Sequence, residues 1–346
     1  MSRLGTIASV SRIVSYPDGF GVYGADVKYR YDLDRVISRG FDDAQEAADA
    51  MLAEAFPHMH VEYSPPDFGC TAFSLPDTGC GSMMGRNYDF KLDTSSMLVR
   101  TSPRGGRRSV AFAALDNISV KDPLSSFKAR AASSLLSPFI CLDGMNDRGV
   151  SIAVLTLDST PTDQRTGRAR IFTTLAIRLV LDWATSAKDA VELLSQYDMM
   201  AMGGRDYHFY ITDAGGEGTV VEYDPDSATR DFTATPADAV TNFFAMRSDM
   251  VKPFQKNGIY GHGMERRDAV RRTVEGKEHT TEVAWEALKA SSQEPNPEDV
   301  TSNTQWSIVY NNSDLTAEMV LRRHWGDRII LDLRTGKAVL RPTEGS

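Results

Sequence analysis

Phe68-Gly69-Cys70-Thr71-Ala72-Phe73-Ser74-Leu75, a turn at Asp77-Thr78-Gly79, and then Met83-Met84-Gly85-Arg86-Asn87-Tyr88-Asp89 form the stretch that decides the fold. Two short β-like runs around a Gly-containing turn read as a hairpin. The first run opens on a Gly-Cys step at the end of a connector marked by Pro57, Pro65 and Pro66. The second carries Arg86 and Asp89, which a hairpin brings toward Cys70. A guanidinium beside a thiol favours the thiolate, the nucleophilic form. A carboxylate there can hold an amine or fix the arginine. The same residues also fit a partly buried cysteine in a strand with Arg and Asp at the surface, and spacing alone does not choose.

Upstream, residues 1–69 have a different texture. Short β-like pieces at 13–16 and 21–24 flank the turn Pro17-Asp18-Gly19, and 41–52 reads as a helix with an acidic start and an Ala-rich middle. Downstream, 208–211 and 219–223 flank Asp213-Ala214-Gly215-Gly216 as a hairpin. Helices are expected over 171–183, 187–197, 265–274 and 282–290, the second with Ser186 and Asp189 as a capping box. Strands return at 306–310, 317–322 and 328–333. Strands at both ends with helices grouped between them favour a mixed α+β layered fold over an alternating βαβ one.

Charge narrows the function classes. Lys+Arg is 38 against 47 Asp+Glu, a net charge of −9, and phosphate binding is driven by Lys and Arg, so nucleic acid is excluded as an expected partner. Three cysteines, Cys70, Cys80 and Cys141, make a poor disulfide framework and suggest a reducing compartment or a reactive thiol. No run reaches the roughly 18 apolar residues of a membrane span. Residues 1–16 lack a clean apolar stretch with a small-residue cleavage site, so the expectation is a cytoplasmic protein. Gly203-Gly204 and Gly215-Gly216 have neither the phosphate-loop nor the dinucleotide spacing.

Other residues read plainly. Cys80 sits in a hairpin loop and Cys141 in an apolar segment, as a core residue. His58 and His60 form a His-x-His pair without a third ligand nearby, so no metal site is expected. His208 and His262 read as packing or surface residues, and 104–108 as a solvated basic turn.

Cys70-Thr71-Ala72-Phe73 with Gly85-Arg86-Asn87-Tyr88-Asp89 resembles the choloylglycine hydrolase family, which includes bile-salt hydrolases, penicillin V acylases, acid-ceramidase-like amidases and penicillin acyltransferases. Asp143-Gly144-Met145-Asn146-Asp147-Arg148-Gly149 is similar to the family's Asp-Gly-Met-Asn-x-x-Gly turn, although Asp143 and Asn146 also fit simple turn formers. Ala239-Val240-Thr241-Asn242 resembles the segment whose Asn serves the oxyanion hole, and Glu265-Arg266 the one with a second site arginine. Residues 306–310 match the tail strand more loosely. The motifs keep the family's order over roughly residues 70 to 335.

The resemblance implies a four-layer αββα sandwich of the N-terminal-nucleophile hydrolase type. It implies self-cleavage between Gly69 and Cys70, with 1–69 as a pro-segment or small subunit and 70–346 as the hydrolase domain. Cys70 would be the nucleophile, Arg86 would favour its thiolate, and Asp89 would hold the new α-amine. Asn242 and the Thr156 backbone N–H would receive the oxyanion, with Arg266 orienting the site. Bile-salt hydrolases usually place an Asn where Thr156 stands and need no such long leading segment, which puts bile-salt specificity in doubt. The implied reaction is hydrolysis of a linear, non-peptide amide in a small N-acyl substrate, without metal or organic cofactor. Bile salts, penicillins, N-acyl amino acids and fatty acyl amides stay open. So do an acyltransferase, a non-catalytic binding member of the fold, and a homo-oligomeric state.

Overall fold

The computed structural model describes residues 2–56, 68–256, 258–299 and 302–342. Strands are numbered along the chain. The larger sheet has nine, in the spatial order β1 (Ser11–Ser15), β2 (Gly21–Asp26), β5 (Ser96–Thr101), β6 (Ser109–Ala114), β7 (Cys141–Asn146), β8 (Ser151–Leu157), β11 (Asp206–Thr212), β12 (Thr219–Tyr223) and β13 (Phe232–Pro236). The second has seven: β14 (Ala239–Val240), β3 (Phe68–Leu75), β4 (Met83–Phe90), β17 (Thr304–Asn311), β18 (Thr316–Leu321), β19 (Asp327–Asp332) and β20 (Lys337–Pro342). Two short pairs complete the set, β9 (Arg170–Phe172) with β10 (Asp198–Met200), and β15 (Asn242–Phe243) with β16 (Gly261–His262).

The sheets face each other where β3 packs on β8. Outside the nine-stranded sheet lie α4 (Phe127–Leu136), α5 (Thr173–Trp183) and α6 (Ala187–Leu194); outside the other lie α7 (Met264–Val274) and α8 (Thr281–Ser291). The result is the expected αββα sandwich. Cover on both faces explains why β4 is buried at every position and shows no alternation in its sequence. No helix among the described residues is long and apolar enough to cross a membrane.

The expected helices are present with small shifts. The one expected from residue 171 begins at Thr173, because Arg170–Phe172 pairs in parallel with Asp198–Met200. Helix α4 was not legible in the sequence. Its Ser133 and Ser134 hydroxyls bond back to the Ala129 and Arg130 carbonyls at 2.7 Å each, and Ser weakens a helix pattern through this competition.

The leading segment is built into the larger sheet. Strand β2 runs parallel to β5, with β1 at the edge. Helices α1 (Arg3–Ala8), α2 (Leu33–Ser38) and α3 (Ala44–Ala55) belong to the same segment. Tyr29 donates to the Leu135 carbonyl at 2.7 Å, and Tyr16 stacks on His324 with ring centroids 3.7 Å apart. The connector with Pro57, Pro65 and Pro66, and the pair His58 and His60, lie outside the described residues.

Candidate active site

The hairpin of β3 and β4 sets the site. Cys70 pairs with Tyr88, Gly69 with Asp89 and Ala72 with Arg86. At Gly85 an added Cβ would stand 2.1 Å from the Phe73 ring, so only glycine lets that ring lie across the pair.

Cys70 is fully buried. Its N–H donates to Asn242 Oδ1 at 3.0 Å, and its carbonyl accepts from Arg266 Nη1 at 2.7 Å. Its Sγ lies 3.6 Å from the Val154 carbonyl oxygen. Arg266 Nη2 also donates to Asn242 Oδ1 at 2.7 Å, and Asn242 Nδ2 donates to the Thr156 carbonyl at 2.8 Å. Two donors on one end of the Asn242 amide and an acceptor on the other fix its orientation.

Arg266 reaches inward from the first turn of α7. The residue capping that turn, Gly263, has φ +88, and a Cβ there would meet Arg266 Nη2 at 2.5 Å. Glycine supplies both the left-handed backbone and the room for the guanidinium.

The acceptor for the Cys70 N–H is therefore Asn242 rather than Asp89. Asp89 lies across the strand pair from Gly69. Its Oδ1 accepts from Thr304 Oγ1 at 2.6 Å and its Oδ2 from Gln293 Nε2 at 2.8 Å, with Arg266 Nη1 at 3.4 Å. Burial raises the Asp89 pKa, and Arg266, Thr304 and Gln293 oppose that rise. Nothing in the sequence around Gln293 or Thr304 marks either as a site residue.

Arg86 Nε bonds Asp143 Oδ2 at 2.7 Å, both side chains fully buried. Trp306 Nε1 donates to the same oxygen at 3.0 Å and the Tyr310 hydroxyl to Oδ1 at 2.6 Å. The turn-former reading of Asp143 is thus wrong, since Asp143 lies inside β7 and holds Arg86 in place. A carboxylate directly after the apolar run Phe139-Ile140-Cys141-Leu142 was the available signal, because a buried charge needs a partner. Asn146 does form a turn, its Oδ1 accepting from the Arg148 and Val150 amides at 3.0 and 3.1 Å.

Burial pushes the Cys70 thiol up to about 11, and the Arg86 charge and hydrogen bond only partly offset this. The thiol is therefore protonated at neutral pH in this structure, because desolvation outweighs the guanidinium. Iodoacetamide at pH 8 is expected to label the exposed Cys80 and spare the buried Cys70 and Cys141. Peptide mass mapping reads this, and equal labelling of Cys70 in uncleaved protein would contradict its burial.

His262, read from the sequence as packing or surface, bonds through Nδ1 to Asp158 Oδ2 at 2.6 Å, and Arg205 meets Asp158 Oδ1 at 2.5 Å. This cluster adjoins Asn242, the cross-strand partner of His262. A cavity of 720 Å³ lined by Tyr29, Tyr31, Arg104, Asp182 and Trp183 shares no residue with the site.

Residues 70–229 match the family model of linear amide C-N hydrolases, choloylglycine hydrolase family. Among solved structures, a penicillin V acylase from Agrobacterium tumefaciens is similar at 14% identity and TM-score 0.55, covering 80% of this chain and 98% of its own. A mutant conjugated bile acid hydrolase from Clostridium perfringens is similar at 13% identity and TM-score 0.54, covering 80% and 97%. At such identities the structural likeness speaks for the fold.

Proposed function

We propose, for a chain with the N-terminal-nucleophile hydrolase fold whose residues 70–229 match the choloylglycine hydrolase family, that it is a self-processing cysteine amidase. It acts on a linear, non-peptide amide of a small N-acyl substrate. One observation carries the reading: both backbone polar groups of Cys70 are held by site side chains, the N–H by Asn242 and the carbonyl by Arg266. A structural cysteine in a strand needs no such grip.

In self-cleavage the Cys70 thiol gives up its proton and Sγ adds to the Gly69 carbonyl carbon. The Gly69–Cys70 C–N bond breaks, the Cys70 nitrogen takes a proton, and a thioester remains. Water adds to the thioester, releasing the Gly69 carboxylate and restoring the thiol. The freed α-amine has a reference pKa near about 8. It would sit against Asn242 Oδ1 and near Asp89, placed to take the thiol proton in the next reaction.

Arg86, fixed by Asp143, stabilises the thiolate, which attacks the substrate amide. Once the freed Gly69 end has swung out of the site, Asn242 Nδ2 and the Thr156 N–H would receive the oxyanion. The amine leaves with a proton from the Cys70 amine, and water then cleaves the acyl-enzyme.

The test is the intact mass of purified protein over time. Two fragments, one ending at Gly69 and one beginning at Cys70, are expected. A single mass after long incubation leaves no free α-amine and defeats the mechanism. Because the thiol is held up to about 11 in the uncleaved chain, the thiolate fraction rises with pH below that value. Self-cleavage should therefore speed up between pH 7 and 9, by about tenfold per unit where thiolate formation is limiting. A flat profile would place proton removal outside the rate-limiting step.

Residues 1–69 are best read as a small subunit that stays bound. Val22, Val36, Phe41 and Met51 are buried, and a buried side chain of this kind contributes about 1.5–3 kcal/mol. After cleavage the two fragments are expected to co-elute in size exclusion and to part only in denaturant. Elution of the larger fragment alone would make the segment a discarded one.

A further inference from the structure

We infer that the buried pair His208–Glu222 is a clamp that sets the position of Asn242, an inference that rests on the site reading above. His208 on β11 and Glu222 on β12 are both fully buried. His208 Nδ1 lies 3.0 Å from Glu222 Oε1, and its Nε2 lies 3.0 Å from the Thr241 carbonyl oxygen. Each ring nitrogen thus faces an oxygen within hydrogen-bond distance, which fixes the ring at both ends. Glu222 in turn accepts from the Ala245 N–H at 2.6 Å and the Met246 N–H at 3.0 Å.

The pair therefore grips the main chain on both sides of Asn242, at Thr241 before it and at Ala245 and Met246 after it. It does so from the larger sheet, while β14, just before Thr241, belongs to the other sheet. Thr241 Oγ1 donates to the Gly263 carbonyl at 2.8 Å, which ties the same segment to the cap of α7 and so to Arg266. A packing role alone would be served by an apolar residue, which avoids the cost of burying two ionisable groups.

His208 and Glu222 direct their hydrogen bonds to each other and to the main chain at Thr241, Ala245 and Met246, not to Cys70. They are positioning residues acting through Asn242, and a displacement of about 1 Å at a reacting group costs about 10²-fold in rate.

The experiment is a double-mutant cycle on self-cleavage, followed by intact mass, with His208→Leu, Asn242→Ala and the combined variant. His208→Leu is expected to slow cleavage about 10²-fold, and the combined variant to be no slower than Asn242→Ala alone. Should His208→Leu fail to fold, Glu222→Gln, which keeps shape and one carbonyl oxygen, carries the same cycle. Losses that multiply in the combined variant overturn the clamp and leave the site reading intact. A wild type that never cleaves overturns the site reading, and the clamp with it.

Discussion

Cys70→Ala is expected to yield one species at the mass of the uncleaved chain, with no fragments after any incubation and no amide turnover. The alanine keeps the backbone contacts to Asn242 and Arg266 and removes only Sγ, so the fold should survive. Loss of a nucleophile that works as part of a unit costs about 10⁶-fold in kcat in a well-studied hydrolase, which puts the residual below detection. The informative comparison is with Asn242→Ala, which removes the acceptor that holds the Cys70 N–H of the scissile bond and should cost about 10²-fold through misplacement, leaving slow cleavage visible. If Cys70→Ala still splits at Gly69, an outside protease is responsible and Cys70 is not the nucleophile of maturation.

Asp143→Ala should be the most destabilising single change at the site. It strands the Arg86 guanidinium in a fully buried position and unpairs the Trp306 Nε1–H and the Tyr310 hydroxyl. Removing one partner of a buried ion pair costs about 3–5 kcal/mol, a drop of roughly 10 °C in melting temperature for a chain of this size. The pair substitution Arg86→Met with Asp143→Leu leaves no orphaned charge and should recover part of that loss while cleavage stays slow, because the charge beside the thiol is gone. Calorimetry beside intact mass separates the two effects. A melting temperature for Asp143→Ala within a degree or two of wild type would mean that water reaches Arg86 and that the site is less dry than its burial indicates.

The sequence by itself settled the elements whose signals are local. The hairpin was legible because two β-like runs, 71–75 and 83–88, bracket a Gly-containing turn. The helices α7 and α8 were legible as helical runs at 265–274 and 282–290, the mixed layered class from the order of strands and helices, and the αββα arrangement from the resemblance carried by the motifs around Cys70, Asn242 and Arg266. The burial of Cys70, and with it a protonated thiol, was not legible, because a cysteine's environment depends on strands and a helix brought in from residues 154, 242 and 266. Nor was the Asp143 contact with Arg86, since its partners come from β4 and β17, far away in the chain. The same holds for His208, which looks like a lone histidine until β12 and Thr241 are packed against it. A hydrogen bond or a desolvation cost exists only between groups that the completed fold has placed together. Local pattern could name the residues, and only the packed sheets decided their charge state and which of them hold the others.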